Sequence, residues 1–223
     1  MFKFKGISSK DMNVVIEEEE HFLARASQKY DTTFIEGRDG DIIETYGYSN
    51  VERPIKVQIL NPSKLDDIFS WLNGSGEFEY NNRVTTAYFY QVIEPIRTAS
   101  IKIADFMFTR APFWYKKVDE FEIVNEVIVN NGNIYSYPII RLEKGTKNHI
   151  DVSIANVRFT YDFNDEEYVE IDCKEMTVLY ESLSRNRQIK IGYDYPICLP
   201  GKNSVSIHSG DPIIKIKRKD CWL

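Results

Sequence analysis

Three histidines, His21, His149 and His208, are the first place to look for acid–base or metal chemistry, because imidazole titrates near neutral pH and ligates metals. Each stands isolated, and no pair has a metal-ligand spacing such as H-x-x-x-H. His149 and Asp151 are two residues apart, which on a strand places them on one face where they could pair; solvation at a strand edge accounts for them equally well. Cys173, Cys198 and Cys221 are far apart and odd in number, with no C-x-x-C. They are expected to be reduced, buried thiols of an intracellular protein, neither a zinc cage nor a redox pair. Tyr161-Asp162-Phe163-Asn164-Asp165-Glu166-Glu167 sets oxygen donors at alternate positions, as a calcium loop does. An EF-hand needs Gly at its sixth position and Glu at its twelfth. Counted from Asp162, those positions hold Glu167 and Cys173, so a polar hairpin turn is expected instead. A sugar hydrolase would need a carboxylate pair across a groove, and 34 acidic residues single out none. Gly201-Lys202-Asn203-Ser204 lacks the remainder of a phosphate loop. These residues indicate no catalytic centre, no metal site and no cofactor.

Two charge runs and one turn remain. Lys215-Ile216-Lys217-Arg218-Lys219 alternates across a strand and reads as a solvated edge protected against aggregation. Glu17-Glu18-Glu19-Glu20 is the sharpest charge cluster, a solvated segment or a face for a basic partner. Gly37-Arg38-Asp39-Gly40-Asp41 places two glycines around Arg-Asp between extended segments, which makes a tight turn with glycine supplying positive φ. With 28 Lys+Arg against 34 Asp+Glu, a net charge of −6 and a pI near 5.3, bulk charge does not favour nucleic-acid binding.

The elements that carry these residues are mostly strands. The chain has 27 Ile, 15 Val and 30 aromatics against 9 Leu and 7 Ala, a composition suited to pleated surfaces. One helix is expected over 62–73: Asn61 caps it, Pro62 takes the first position, Leu65, Ile68, Phe69 and Leu72 make an apolar face, and Asn73-Gly74 stops it. For the same reason Asn73-Gly74-Ser75 is read as a helix end and not as a glycosylated sequon. A weaker helical pattern covers about 17–29. Val84–Ile93 forms an uninterrupted strand pattern. Ile101, Ile103, Phe106 and Phe108 suggest a register shift, hence a bulge near Asp105. Short strands follow at Ile134–Leu142, Ile150–Ala155, Val157–Phe163, Tyr168–Cys173, Met176–Tyr180, Gln188–Tyr193 and Ile213–Lys217, the spacing of a sandwich or jelly roll. Asn130-Asn131-Gly132-Asn133 is the expected boundary. Residues 1–132 carry 15 basic and 21 acidic groups, and 133–223 carry 13 of each. No signal-peptide core and no stretch of bilayer length is present in the sequence, so a final location outside a cell would need a route other than ordinary secretion.

The order of motifs resembles the distal tail (Dit) proteins of siphophages, the long-tailed, non-contractile phages, in particular those of Gram-positive hosts. Ile35-Glu36-Gly37-Arg38-Asp39-Gly40-Asp41 is similar to the family's I-x-G-R-D-G-x segment. Trp71-Leu72-Asn73-Gly74-Ser75-Gly76 is similar to its W-L-x-G-x-G pattern. Phe108-Thr109-Arg110-Ala111-Pro112-Phe113-Trp114 is similar to F-x-C-x-P-x-W, with Arg110 where Cys is frequent. Tyr88–Ile93, Asn131-Gly132, Tyr137-Pro138-Ile139-Ile140, Glu170-Ile171-Asp172-Cys173 and Leu199-Pro200-Gly201-Lys202-Asn203 also fit, so the resemblance spans nearly the whole chain.

The resemblance implies a mainly β structural protein of the virion and not an enzyme. Residues 1–132 would be a β-sandwich-like ring-forming domain with one α-helix and a β-hairpin arm within 35–60. Residues 133–223 would be a galectin-like β-sandwich. Gly37, Arg38, Asp39 and Gly40 would be a turn at the oligomer interface. It further implies a homohexameric ring, single or stacked as a double ring, at the virion tail tip and assembled in the host cytoplasm. Such a hub joins the tail tube and tape-measure proteins to the tail-associated fibre or lysin protein and holds receptor-binding proteins. DNA would pass through it without specific binding, and no membrane insertion is implied. Glu17–Glu20 could line such a channel by like-charge repulsion. The rival functions are a module that binds host cell-wall polysaccharide, with Tyr135, Tyr137, Tyr161, Tyr168 and Tyr193 as candidate platforms, and a sugar-active enzyme on a β-sandwich.

Overall fold

The computed structural model describes residues 1–17, 19–98, 101–118 and 120–223. It divides into two compact units, Met1–Trp114 and Tyr115–Trp222. This division lies ahead of the expected 132/133 boundary, and backbone pairing explains why. Glu122–Ile123 pairs with Ile213–Lys217 and Val127–Asn130 pairs with Gly201–Ser209, which ties both segments to the second unit. The Asn-Gly segment is therefore a turn inside that unit. Its glycine is required there, since a Cβ on Gly132 would fall 2.0 Å from the Cys221 carbonyl oxygen.

The first unit is an antiparallel sheet in the order Ile7–Ser8, Phe2–Phe4, Gly74–Tyr80, Arg83–Phe89, Ile101–Arg110, Val51–Ile59, Val14–Ile16. Glu94–Thr98 pairs with the first half of Ile101–Arg110, and Arg83–Phe89 meets that strand only at its far end. The strand Ile101–Arg110 carries no bulge: its register with Val51–Ile59 runs unbroken from Lys102 to Arg110. Ala104, Phe106, Phe108 and Arg110 point inward, while Ile103 lies on the other face. The apparent shift is thus apolar residues on both faces of a regular strand.

The core of this unit is aromatic. Phe22 stands edge-on to Phe78 and Phe108, each with ring centroids 4.9 Å away, and Phe2 stacks on Trp71 at 5.5 Å. Trp71 belongs to the expected helix, realised as a 3₁₀ turn, Pro62–Lys64, running into an α-helix, Leu65–Trp71. The Asn61 side chain accepts from the Ser63 amide as a cap, and the indole of Trp71 donates to the Phe4 carbonyl at 2.9 Å. The pattern over 17–29 yields a short 3₁₀ segment, Glu19–Leu23, and then a strand.

The second unit is a sandwich of two antiparallel sheets. One runs Glu122–Ile123, Ile213–Lys217, Ile139–Glu143, Tyr168–Asp172, Thr177–Tyr180, Leu183–Ser184. The other runs Val127–Asn130, Gly201–Ser209, His149–Ile154, Val157–Asp162, Ile189–Ile191. Ile140, Leu142, Val169 and Ile171 from the first share one core with Val152, Ile154, Phe159 and Val205 from the second. Near its start, the Lys116 amide donates to the Asp220 carbonyl at 2.9 Å. Ile213–Lys217 is flanked on both sides and is not the exposed edge expected from its lysines; Lys215 instead pairs across to Glu143 at 2.5 Å.

Candidate functional site

The strands Gln28–Thr33 and Ile42–Tyr48 form a two-stranded sheet of their own. This hairpin starts earlier than the expected 35–60 and ends at Tyr48, because Val51–Ile59 is a strand of the main sheet with Val51, Ile55, Val57 and Ile59 buried. A strand stays in a sheet by burying one face, and every residue of 28–41 is exposed. Large apolar side chains stand in water along it: Tyr30, Phe34, Ile43 and Tyr46 are 62%, 74%, 63% and 55% exposed. Tyr46 donates to Asp31 across the hairpin at 2.6 Å, which raises the phenol pKa.

Gly37, Arg38, Asp39 and Gly40 lie at the tip. Gly37 and Gly40 have φ of +81° and +78°, the left-handed values that the spacing required, and the Arg38 amide donates to the Ile35 carbonyl. All four residues are exposed, and a Cβ at either glycine would meet nothing. The tip is thus free of its own chain.

The root of the hairpin is held by a residue whose role the sequence did not reveal. Arg110 is 0% exposed. Its Nε donates to the Phe22 carbonyl at 3.1 Å, Nη2 to Ala24 at 2.5 Å, and Nη1 to Ala111 and Pro112 at 2.8 and 3.0 Å. The guanidinium also lies 5.0 Å from the Trp114 ring centroid. Among the described residues its acceptors are all backbone carbonyls, and burial lowers its pKa to about 10. The alternation Ala104, Phe106, Phe108 was the available signal, since it continues inward to position 110.

A second surface of note is the slot beside the edge strand Val14–Ile16. A cavity of about 420 Å³ opens there, lined mainly by Met1, Phe2, Val14, Val15, Ile16 and Leu60. Val15 and Leu60 are nearly half exposed. Among the described residues Val14–Ile16 forms strand pairs only with Val51–Ile59, and on its other edge the Val14 amide donates to the Ser9 carbonyl at 2.8 Å.

The remaining candidates separate. His149 Nδ1 lies 2.6 Å from Asp162, not Asp151; Asp151 instead receives both Nε and Nη2 of Arg158, which lowers its pKa. His208 meets Ser153, and His21 meets the Pro54 carbonyl. In the segment 161–167, Tyr161 is buried and donates to the buried Glu166 at 2.7 Å, while Asp162 faces outward beside His149. Tyr161 is therefore no sugar platform. Tyr168 is half-buried with Arg141 stacked on it, Tyr135 and Tyr137 pack edge to face, and Tyr193 is fully exposed. Glu17 accepts from Gln58, and Glu19 is held by the Met1 ammonium and Tyr80, partners that lower its pKa. Glu20 is exposed, and Glu18 lies outside the described residues. Among the described residues no group of three His, Cys, Asp or Glu side chains could hold a metal ion, and no helix is long and apolar enough to cross a membrane.

The sheet with a helix and a free hairpin, followed by a β-sandwich, makes a two-part, mainly β fold. It is the fold of the Dit protein (gp 19.1) of phage SPP1, described as a paradigm of the hub adsorption apparatus in phages infecting Gram-positive bacteria. That crystal structure aligns with a TM-score of 0.75 over 100% of this chain and 98% of its own, at 13% identity. Chains of the phage P2 baseplate in its activated conformation, with Ca and with Sr, align over 95% of this chain and 92% of theirs at 10% and 11% identity. Their TM-scores of 0.45 and 0.38 carry no weight. No family model matches the sequence, and no curated protein does.

Proposed function

We propose that this chain is a structural component of a phage tail tip, a hub whose copies join in a ring, and that it is not an enzyme. The observation that carries the proposal is the end-to-end match to the SPP1 Dit fold. The hairpin supports a cyclic assembly, since it exposes four large apolar side chains that its own chain leaves uncovered. The apolar slot beside Val14–Ile16 suits apolar side chains from a neighbouring copy. Head-to-tail docking of this kind closes into a ring when the rotation per copy divides a full turn. Six copies, with tail tube, tape-measure, fibre or lysin, and receptor-binding proteins as partners, complete the proposal. The second unit would be the galectin-like part, displayed outward.

Light scattering on the purified protein, with negative-stain images of the same sample, tests this. Rings of six or twelve copies are the expected result. A species that stays monomeric at all concentrations, and when mixed with tail-tube protein, would overturn the assembly. A monomer that also bound a cell-wall glycan array would favour the sugar-binding function instead.

A further inference from the structure

We propose that Arg110 is the positioning residue that sets the direction in which the hairpin leaves the sheet. The proposal rests on the preceding one only in taking the hairpin to be the assembly arm. Both stems of the hairpin converge on this single side chain and its backbone. The incoming stem is gripped by the guanidinium at the carbonyls of Phe22 and Ala24. The outgoing stem is gripped by the strand, where Arg110 is the register partner of Val51.

The grip is directional because a guanidinium presents its donors in one rigid plane. Carbonyls before the hairpin (Phe22, Ala24) and after the strand (Ala111, Pro112) all accept from that one group. Trp114 lies close to the guanidinium carbon, and Phe22 is pinned among Phe2, Phe78, Tyr80 and Phe108. The stem therefore has a fixed side chain at one point and two fixed carbonyls around it. An aliphatic residue at position 110 would fill the space and leave those carbonyls without donors. A lysine would keep the charge but offer no planar fork. Desolvating a guanidinium without a carboxylate partner is costly, and a fold retains that cost where geometry is needed at the site.

The test measures direction apart from assembly. Spin labels are placed on Cys introduced at Arg38 and at Glu77, both exposed, in samples diluted with unlabelled protein. The three native thiols are buried and stay unlabelled in the folded chain. In the parent chain a narrow distance distribution is expected. Arg110→Lys should broaden it and shift its mean, while the far-ultraviolet circular dichroism of the sheet is unchanged. Arg110→Met should do the same, and if it fails to fold the Lys variant still decides. For the ring, the concentration of half-assembly should rise about tenfold or more, equivalent to ~1.4 kcal/mol. A Lys variant that melts lower but keeps the parent's distances would reduce Arg110 to a structural residue and overturn the proposal. If the parent forms no ring yet Arg110→Lys broadens the distances, the assembly proposal fails and this one stands.

Discussion

Raising the pH should unfold the second unit before the first, because all three cysteines lie in it and all are buried. Desolvation pushes Cys198 and Cys221 up to about 12 from 9.0 and raises Cys173 as well. The folded chain therefore keeps protons that the unfolded chain gives up, and stability falls with pH wherever the folded state binds more protons. The contribution is complete below pH 9 and is lost as the pH climbs towards 12. At pH 10 each thiol has cost the folded state on the order of 1 kcal/mol, and the three together a few kcal/mol, since each pH unit above the unfolded value counts for ~1.36 kcal/mol. Tyr115, raised to about 12 chiefly by burial, adds to the fall above pH 10. Arg110 acts in the opposite sense and in the other unit: its value, lowered to about 10 by burial, makes stability rise as the pH climbs above that point. Urea unfolding at pH 8, 9 and 10, followed by pulse proteolysis with peptides assigned to each unit, separates the two. The midpoint of 115–222 should drop by roughly 2–4 M between pH 8 and 10, taking about 1–2 kcal/mol per molar urea. That of 1–114 should barely move. Cys198→Ala should remove about a third of the slope. Equal shifts in both units, or an unchanged slope in that variant, would refute the linkage.

Other perturbations have more local outcomes. Phe22→Ala should cost about 3–5 kcal/mol in the first unit, read as a lower urea midpoint, since it empties the centre of the aromatic cluster. Tyr161→Phe should cost ~1–3 kcal/mol in the second unit, read as a lower urea midpoint, because the buried Glu166 loses the phenol hydrogen that it accepts. Gly132→Ala should lower the melting temperature by pushing the Cys221 strand away, whereas Gly145→Ala should act through the Asp211 loop on the same unit. Phe34→Asp with Ile43→Asp should leave the monomer's stability within about 0.5 kcal/mol, as expected for exposed positions, and abolish the ring seen by light scattering.

Much of the fold was legible because the signals were local. Asn61-Pro62 and the apolar spacing fixed the helix to within a turn, and alternating Ile and Val fixed most strands of the sandwich. Gly201–Ser209 is hard to read as a strand because only Asn203 and Val205 are buried along it and, Ile207 apart, its other side chains are polar. The domain boundary was misplaced for a related reason. Asn131-Gly132 looks the same whether it joins two domains or turns within one, and only the long-range pairing of Val127–Asn130 decides. The hairpin tip was readable from two glycines, but its root was not. Arg110 is interior by alternation yet charged by type, and a conflict of that kind is settled only by the carbonyls that happen to converge on it.

The pairing of early with late strands inside the second unit also bears on biosynthesis. Apart from Leu223, the first unit is one continuous stretch of sequence and has left the ribosome before the second is made. The second opens with Glu122–Ile123 and Val127–Asn130, whose partners Ile213–Lys217 and Gly201–Ser209 are made last, so its sandwich must wait for the end of translation with its apolar faces uncovered. The arm is complete long before then. A nascent chain thus holds a finished hairpin while the apolar faces of its second unit are still uncovered, and the period in which mispairing threatens falls on that second unit alone.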